Sequence, residues 1–248
     1  MLLGCGGRKQ ARVNIPPPPP APPPQSRTEP APPATEQTRP QPPKATPAEE
    51  AAEETEETYP IPAGSEPLVT EIGLASWYGP PYHNRRGSNG EIYNMHAFTA
   101  AHRTFALGSI VRVTNPKTGH SAVVRITDRG PFIPGRIIDL SLAAAKKVDV
   151  WQPGVAPVRV ELLRAPTPLD KAGRWAVQIG AFDAEDAATE VADRVSRRYH
   201  TANVLHFSSP KGDWWVRIRV QGDARQRAEE IARTTETPQG AIFLVRLD

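Results

Sequence analysis

Two carboxylates and one imidazole stand in short polar motifs of this 248-residue chain. Glu91 follows Ser-Asn-Gly, His102 follows Thr-Ala-Ala, and Asp128 precedes Arg-Gly-Pro-Phe. A carboxylic acid can protonate a glycosidic oxygen, and a second carboxylate or an imidazole can help to stabilise the cation that is left behind. The three residues are therefore candidates for the cleavage of a sugar polymer.

The elements that must position these residues are short strands. Three runs of alternating or β-branched residues predict strands: 110–114, 122–126 and 158–162. The Asn-Pro-Lys-Thr-Gly segment at 115–119 is typical of a hairpin turn. One alanine-rich helix, capped by Ser141, is predicted at 142–148. Several short strands with one small helix predict a compact, mainly β barrel over residues 68–165.

The charges are unevenly distributed between the parts of the chain. Residues 68–165 carry 12 Lys and Arg against 6 Asp and Glu, a net charge of +6, whereas residues 166–248 carry 12 of each. A basic domain suits an anionic partner. No basic helix, zinc-finger spacing or RNA-binding aromatic motif is present, so nucleic acid is not predicted as that partner. No Cys and His set has metal-ligand spacing, and we predict no metal and no cofactor.

Six short motifs occur in an order that resembles the rare lipoprotein A family. In sequence order they are Ala75–Gly79, Asn89–Glu91, Thr99–His102, Val113–Asn115, Asp128–Phe132 and Arg136–Ser141. The resemblance implies a double-psi β-barrel and an endo-acting lytic transglycosylase. Such an enzyme cleaves the MurNAc–GlcNAc linkages of peptidoglycan, preferably in glycan strands without peptides, during cell separation at the septum. The sequence departs from the usual family pattern at Gly87 and Ser88 and at Asn94, where an Asp is frequent.

The resemblance also implies roles for the residues of this site. Asp128 would act first as acid and then as base, because the muramic acid C6 hydroxyl closes on its own anomeric carbon and no attacking water has to be held. Glu91 would stabilise the oxocarbenium-like transition state or orient the acid. His102 would hydrogen-bond to one of the carboxylates or to the sugar, and Trp77 and Tyr78 could stack on sugar rings.

Each of these residues also has a structural interpretation. Asp128 could pair with the arginine that follows it or accept turn amides, Glu91 could be a solvated turn residue, and His102 could be satisfied inside the barrel. Asp139 is an alternative carboxylate that we expect to order the start of the helix or to pair with Arg136. Two other functions therefore stay open, a non-catalytic peptidoglycan-binding protein and a water-using glycoside hydrolase, because a fold does not prove chemistry.

A second domain is predicted at residues 174–248, after a linker at 166–173. Four strands are predicted at 175–182, 202–207, 214–220 and 241–247. Asp183 is the predicted cap of a first helix, and Asp223 with Gln226 forms the capping-box pattern of a second one. The resulting order is β-α-β-β-α-β, a small ferredoxin-like α+β fold.

This second domain resembles the SPOR domain, through its element order and the Val-Gln-Ile-Gly-Ala-Phe motif at 177–182. The resemblance implies binding to peptide-free glycan strands, which accumulate at division septa. The candidate glycan contacts are Gln178, Phe182, Trp214, Trp215 and Arg217. Strand alternation places Trp215 and Arg217 on one face of the sheet and Trp214 on the other, so one tryptophan is expected in the core.

The first 67 residues hold 18 of the 29 prolines, a run of glutamates and few apolar side chains. This composition predicts a disordered tether over residues 6–67, with polyproline II conformation near Pro16–Pro24. Leu-Leu-Gly-Cys at the start resembles a lipoprotein processing site, with Cys5, the only cysteine, as the acylated residue. We therefore expect an outer-membrane lipoprotein that faces the periplasm at the septum, with divisome proteins as candidate partners. No segment approaches the roughly 20 apolar residues of a membrane span.

Overall fold

The structure, a computed structural model, describes Tyr59 and residues 66–167, 173–207, 213–222 and 224–248. The predicted tether and the predicted acylation of Cys5 lie outside the described residues, apart from Tyr59 and residues 66 and 67. Within the described ranges, no helix has both the length and the apolar composition needed to cross a bilayer.

Six strands and one helix form the first domain. They are β1 (Val69–Trp77), β2 (Thr99–His102), β3 (Ile110–Thr114), β4 (Ser121–Asp128), β5 (Arg136–Leu140), α1 (Leu142–Lys147) and β6 (Val155–Arg164). The strands close into a barrel in the order β1-β5-β2-β4-β3-β6. Closure leaves no free sheet edge, and every second side chain points into the interior. The mainly β barrel predicted from the sequence is confirmed.

Strand pairing within the barrel places two carboxylates on the two strands that flank β2. The β1–β5 and β2–β4 pairs are parallel, and the other four strand pairs are antiparallel. Strand β2 lies between β4 and β5, so Ala101 pairs with Asp128 on one side and with Asp139 on the other. The small side chain of Ala101 therefore separates the two acidic residues across three neighbouring strands.

Helix α1 begins where the sequence predicts and ends at Lys147. Ser141 takes an extended conformation at the N-cap, and its hydroxyl oxygen accepts a hydrogen bond from the Ala144 amide at 3.3 Å. The same oxygen accepts a second, longer bond of 3.4 Å from the amide of Thr99 at the start of β2. Ser141 is fully buried and caps the start of the helix, whereas the Thr99 amide also donates to the Ala97 carbonyl at 3.0 Å.

Four strands and two helices form the second domain. They are β7 (Trp175–Phe182), α2 (Glu185–Ser196), β8 (Ala202–His206), β9 (Trp214–Arg219), α3 (Arg225–Thr234) and β10 (Ala241–Arg246). The sheet order is β10-β7-β9-β8, and every pair is antiparallel. Residues such as Val177, Ile179 and Val216 pack with both helices, whereas Trp215 and Phe243 belong to a separate cluster. The predicted β-α-β-β-α-β order is confirmed.

The helix caps of the second domain differ from the sequence prediction. Helix α2 begins after Ala184, whose side chain makes no capping bond, so Asp183 is not the cap. The Asp183 carboxylate instead accepts a hydrogen bond of 3.0 Å from the amide of Gln239. Helix α3 likewise begins after Ala224 without a side-chain cap, and Asp223 lies outside the described residues. Packing of the apolar helix faces, rather than capping, therefore stabilises these helices.

The second domain packs directly against the barrel. The amide of Leu107 donates to the carbonyl of Asp248 at 3.1 Å, and the amide of Arg246 donates to the carbonyl of Arg103 at 2.9 Å. Phe132, in the loop after β4, packs against the cluster that contains Trp215. The two domains share backbone hydrogen bonds and an aromatic core, so they form a continuous structure at this junction.

Replacing the buried cap of α1 tests the link between this helix and β2. We expect Ser141→Ala to lower the free energy of unfolding by about 1–2 kcal/mol, because the buried Ala144 amide loses its acceptor and the Thr99 amide loses a second, longer bond. Urea denaturation followed by tryptophan fluorescence measures the change. The control is Ser121→Ala at an exposed position on β4, which should change the value by less than about 0.5 kcal/mol. Equal effects of the two substitutions would contradict the proposed role of the cap.

Candidate active site

A cavity of about 380 Å³ opens where β4 ends. The carboxylates of Asp128 and Asp139 both line it, as do three aromatic side chains of the barrel and two side chains of the second domain. These five further residues are Trp77, Tyr78, Tyr82, Phe207 and Arg217. The cavity thus combines acidic groups with aromatic surface, a combination suited to a carbohydrate.

The carboxylate of Asp128 is fixed through one of its two oxygens. Oδ1 accepts hydrogen bonds from the Ser88 amide at 3.0 Å and from the Arg129 amide at 2.8 Å, and the Ser88 hydroxyl donates to the same oxygen. No hydrogen bond from the described residues reaches Oδ2. Asp128 therefore accepts hydrogen bonds from turn amides, as one interpretation of the sequence expected. Its second oxygen stays available for proton transfer.

The Arg129 side chain does not pair with Asp128. Its guanidinium donates to three backbone carbonyls, those of His102 at 3.0 Å, Phe105 at 2.8 Å and Asp248 at 2.5 Å. Burial lowers the pKa of Arg129 to about 10, a value that keeps the group charged at neutral pH. The structure thus separates the adjacent acid and base of the Asp-Arg-Gly motif into different environments.

The Ser-Asn-Gly-Glu loop holds Ser88 against Asp128. The Asn89 amide donates to the Thr127 carbonyl at 3.2 Å, and the Asn89 side chain accepts a bond of 3.0 Å from the Glu91 amide. Gly90 has a φ of +87°, a left-handed conformation that glycine adopts without a steric penalty. The loop is therefore built to lie across the end of β4, and the sequence motif reflects this geometry.

Glu91 lies beside this loop but outside the main cavity. Its carboxylate forms a two-pronged ion pair with Arg125, with N–O distances of 3.0 and 2.8 Å, and this pairing lowers the pKa of Glu91. The side chain is 56% exposed. Glu91 and Asp128 do share a smaller adjoining cavity of about 170 Å³. Glu91 is thus near Asp128, but its own carboxylate is paired with Arg125.

His102 is buried and lines neither of these two cavities. Its Nδ1 accepts hydrogen bonds from the amides of Phe105 at 3.1 Å and Thr104 at 3.3 Å, so the proton resides on Nε2. Nε2 faces a carboxylate oxygen of Glu71 at 3.3 Å, and the ring stacks on Phe105 at a centroid distance of 3.9 Å. Burial lowers the pKa of His102. The structure does not bring this ring to Asp128.

Asp139, which the sequence analysis treated as structural, faces the same cavity as Asp128. It accepts hydrogen bonds from the Ser76 hydroxyl at 2.6 Å and from Arg136 at 2.8 Å, and burial raises the pKa of its carboxyl group. The expected pairing with Arg136 is confirmed. The sequence alone did not reveal that Asp139 faces the cavity, because this depends on the parallel β1–β5 register, in which Ser76 lies opposite Asp139.

The aromatic wall of the cavity contains one residue that the sequence analysis missed. Tyr78 stacks on Tyr93 at 4.3 Å and meets Tyr82 edge to face at 6.0 Å. Tyr82 closes the short 3₁₀ turn Pro80–Tyr82, which follows the aromatic motif of β1. Trp77, Tyr78 and Tyr82 are all partly exposed, so each can offer a ring to a ligand.

Comparison with known proteins matches both domains of the chain. The sequence model of the lytic transglycolase family (DPBB_1) matches residues 70–160, and that of the SPOR domain matches residues 171–238. The barrel thus matches the lytic transglycolase model, and the domain after it matches the SPOR model. The resemblance to the rare lipoprotein A family and the double-psi β-barrel fold, both predicted from the sequence, are therefore confirmed.

Three relatives, each named endolytic peptidoglycan transglycosylase RlpA, illustrate the extent of the similarity. The protein of Vibrio cholerae is 56% identical over 99 residues, which are 40% of this chain and 38% of the relative. That of Campylobacter jejuni is 36% identical over 167 residues, 58% and 61% of the two chains. That of Helicobacter pylori strain J99 is 39% identical over 151 residues, 50% and 48% of the two chains. The matched regions thus span about two fifths to three fifths of these relatives.

The structure separates the predicted contacts of the SPOR domain into two groups. Phe182 is fully buried in the core beneath the helices, and Trp214 packs on the same side, so the structure does not bring Phe182 to a binding surface. Trp215, also fully buried, lies in the cluster that meets the barrel. Arg217 is partly exposed, and buried Gln178 accepts its hydrogen bonds at 2.6 and 3.2 Å. Of the five, only Arg217 lines the main cavity.

The buried, neutral His102 predicts a loss of stability in weak acid. Its folded pKa is depressed, so the unfolded chain binds a proton near its ordinary pKa of about 6.5 before the folded chain does. The free energy of unfolding should therefore be constant above about pH 7 and fall as the pH drops below 6.5, by at most about 1.4 kcal/mol per pH unit for this group. Urea titrations between pH 5.5 and 7.5 measure the slope. His102→Gln should flatten it, whereas His200→Gln, at an exposed position, should not. An unchanged slope in His102→Gln would refute the assignment.

Proposed function

We propose that this protein is an endo-acting lytic transglycosylase that cleaves MurNAc–GlcNAc linkages of peptide-free glycan strands to 1,6-anhydro products. The observation that carries the proposal is the Asp128 carboxylate, which is fixed through Oδ1, lines a carbohydrate-sized cavity and leaves Oδ2 for a proton. The family match of the barrel and the printed names of its relatives support the same activity.

One carboxyl group is sufficient for this reaction. Asp128 in its acid form donates a proton to the glycosidic oxygen, the bond from C1 to that oxygen breaks, and positive charge develops on the sugar ring. The C6 hydroxyl of the same sugar then attacks C1 while Asp128 takes up its proton, which restores the acid. No water is consumed, and the products are a free 4-hydroxyl end and a 1,6-anhydro end.

Neighbouring groups stabilise the developing positive charge in this proposal. Asp139 lies in the same cavity, one strand away from Asp128 across Ala101. Its bonds to Ser76 and Arg136 hold one carboxylate in a fixed orientation beside the sugar. The rings of Trp77, Tyr78 and Tyr82 would pack on sugar faces and orient the strand.

Glu91 and His102 act as positioning residues in this proposal. Glu91, anchored to Arg125 on β4, holds the loop from which Ser88 binds Asp128. His102 orders the turn whose carbonyls bind Arg129, the residue after the acid. Neither side chain needs to touch the substrate in order to set the position of the Asp128 carboxylate.

The rest of the chain would bring the enzyme to its substrate. The SPOR match supports binding to peptidoglycan, and we propose enrichment at the division septum on that ground. Acylation of Cys5 and the Pro-rich segment would tether both domains to the outer membrane within reach of the wall.

Removing the proton donor tests the activity. Asp128→Asn should lower the rate of cleavage of purified peptide-free strands by about 100-fold or more, because the amide cannot transfer the proton. Mass spectrometry of the products gives both the rate and the chemistry. Asp149→Asn, a change at an exposed acid that pairs with His120, should retain the wild-type rate.

The products also separate the alternative functions. Anhydromuramic ends from the wild-type protein agree with the proposal, whereas reducing ends would indicate a water-using hydrolase. Unchanged strands would indicate a binding protein without activity. Full cleavage by Asp128→Asn would show that another group supplies the proton.

A double-mutant cycle tests the positioning role of Glu91. We expect Glu91→Gln to lower kcat about 10-fold with little change in KM, because the loop loses its anchor on Arg125 while the sugar contacts remain. Ser88→Ala should have a similar effect, and the double variant should be no worse than Ser88→Ala alone, since both act through one contact with Asp128. Fully additive losses in kcat would instead indicate that Glu91 acts on the substrate directly.

A further inference from the structure

The positive charge of the barrel is only partly engaged within the protein. Residues 68–165 hold 12 lysines and arginines against 6 acids. Four of these arginines pair with acids, and three others donate to backbone carbonyls. The remaining basic side chains form neither an ion pair nor a hydrogen bond to a carbonyl within the described residues. They are Arg85, Lys117, Lys146, Lys147 and Arg164. Their charges therefore remain available to an external anion.

Three of these side chains lie together at one end of the barrel. Lys117 lies in the turn between β3 and β4, and Lys146 and Lys147 are the last residues of α1. The turn and the end of the helix are joined, because the side-chain amide of Asn115 donates to the carbonyl of Val148 at 2.9 Å. All three lysines are exposed. The fold thus gathers into one cluster three lysines that lie on separate elements.

One acidic residue accompanies this cluster. Within residues 115–121 and 142–155 the only carboxylate is that of Asp149. It lies 2.6 Å from Nδ1 of His120. Three lysines against one carboxylate leave a net positive charge, whatever the protonation state of His120.

An exposed tryptophan stands beside the lysines. Trp151 is 42% exposed, whereas the other described Phe, Tyr and Trp side chains are buried or half-buried. Nζ of Lys146 lies 5.9 Å from the centre of its ring, and the Trp151 amide donates to the Ala145 carbonyl at 3.1 Å. An indole ring flanked by lysines is typical of the membrane–water interface, where the ring lies among the headgroups and the lysines reach the phosphates. We call Lys117, Lys146, Lys147 and Trp151 the lysine–tryptophan patch.

The lysine–tryptophan patch is remote from the main cavity. It adjoins the start of β4 at Ser121, whereas Asp128 stands at the end of the same strand and lines the cavity. A strand rises roughly 3.3 Å per residue, so the distance along β4 from residue 121 to residue 128 is about 23 Å. A partner bound at the patch therefore does not occupy the cavity.

We propose that the lysine–tryptophan patch binds the surface of a bilayer that contains anionic lipids. The lysines attract the lipid phosphate groups, and the ring of Trp151 enters the headgroup region. Lysines at the C-terminus of a helix also suit its dipole, but that effect explains neither Lys117 nor the exposed tryptophan. The inference goes beyond the proposed function, because this surface takes no part in cleavage and acts independently of acylation at Cys5.

The experiment measures binding of the 248-residue chain, with Cys5→Ser to exclude acylation, to two kinds of vesicle. One kind contains phosphatidylcholine alone, and in the other one quarter of the lipid is anionic phosphatidylglycerol. The partition coefficient should be about 100-fold higher for the anionic vesicles, since each lysine contributes about 5-fold. Added salt should reduce this difference. Equal binding to both kinds, or binding to neither, would overturn the proposal.

Two double variants separate the patch from the overall charge. Lys146→Gln with Lys147→Gln should lower the partition coefficient for anionic vesicles about 25-fold. The matched control, Arg85→Gln with Arg164→Gln, removes the same charge from the two unpaired side chains of the barrel outside the patch and should lower it less than about 3-fold. Equal losses in the two double variants would show that net charge, rather than the patch, determines binding.

Brominated lipids test the orientation of the bound protein. They should quench the fluorescence of Trp151, so Trp151→Phe should still bind anionic vesicles but lose most of the quenching. Quenching that persists in Trp151→Phe would refute the orientation, because it would place another tryptophan at the bilayer.

The lysine double variant also keeps this proposal distinct from the proposed function. It should cleave peptide-free strands in solution at the wild-type rate, so vesicle binding and cleavage succeed or fail separately. Thermal unfolding checks that each variant folds. Loss of strand binding with unchanged vesicle binding in the lysine double variant would assign the patch to an anionic polymer, and the bilayer proposal would then be wrong.

Discussion

The contact on which the site depends is the set of hydrogen bonds to Oδ1 of Asp128. Two backbone amides and one hydroxyl group fix this oxygen at the end of β4. Both amides are part of the backbone, so their position follows from the fold of the Ser-Asn-Gly-Glu loop and the turn after β4. Neutral donors hold the carboxylate without engaging it in an ion pair. Asp128 is thus oriented by one oxygen, and in the proposed function it would transfer a proton with the other.

The site also keeps the charges of Asp128 and Arg129 apart. Arg129 follows Asp128 directly, and an ion pair between them would occupy the carboxylate. Carbonyls of His102, Phe105 and Asp248 bind the guanidinium instead. The buried imidazole of His102 accepts hydrogen bonds from two amides of the same turn. It therefore orders the carbonyls to which Arg129 donates. In the proposed function, a buried histidine that does not line the cavity would therefore still help to keep the Asp128 carboxylate out of an ion pair.

The sequence was sufficient to predict the parts that depend on local patterns. Alternation in 110–114 and the serine before 142 gave the correct strand and helix, because burial and capping follow neighbouring residues. The cap predicted at Asp183 is wrong, since Ala184 occupies the cap position. Asp223 lies outside the described residues, and Ala224 occupies the cap position of the second helix. The proximity of Asp139 to Asp128 depends on which strands pair, and the role of Phe132 depends on how two domains pack. Neither feature leaves a periodic signal in one sequence.

The two faces of the sheet in the second domain have different partners, and in the proposed function this difference would link recruitment with catalysis. One face packs on α2 and α3, and the other packs through Trp215 and Phe243 on the loop after β4. A domain joined only by a flexible segment would raise the local concentration of substrate without affecting the site. In the proposed function, a domain that shares a wall of the cavity would also affect which sugars fit beside Asp128. Phe207 and Arg217 occupy this shared wall, so recognition of the strand and its cleavage would take place on one continuous surface.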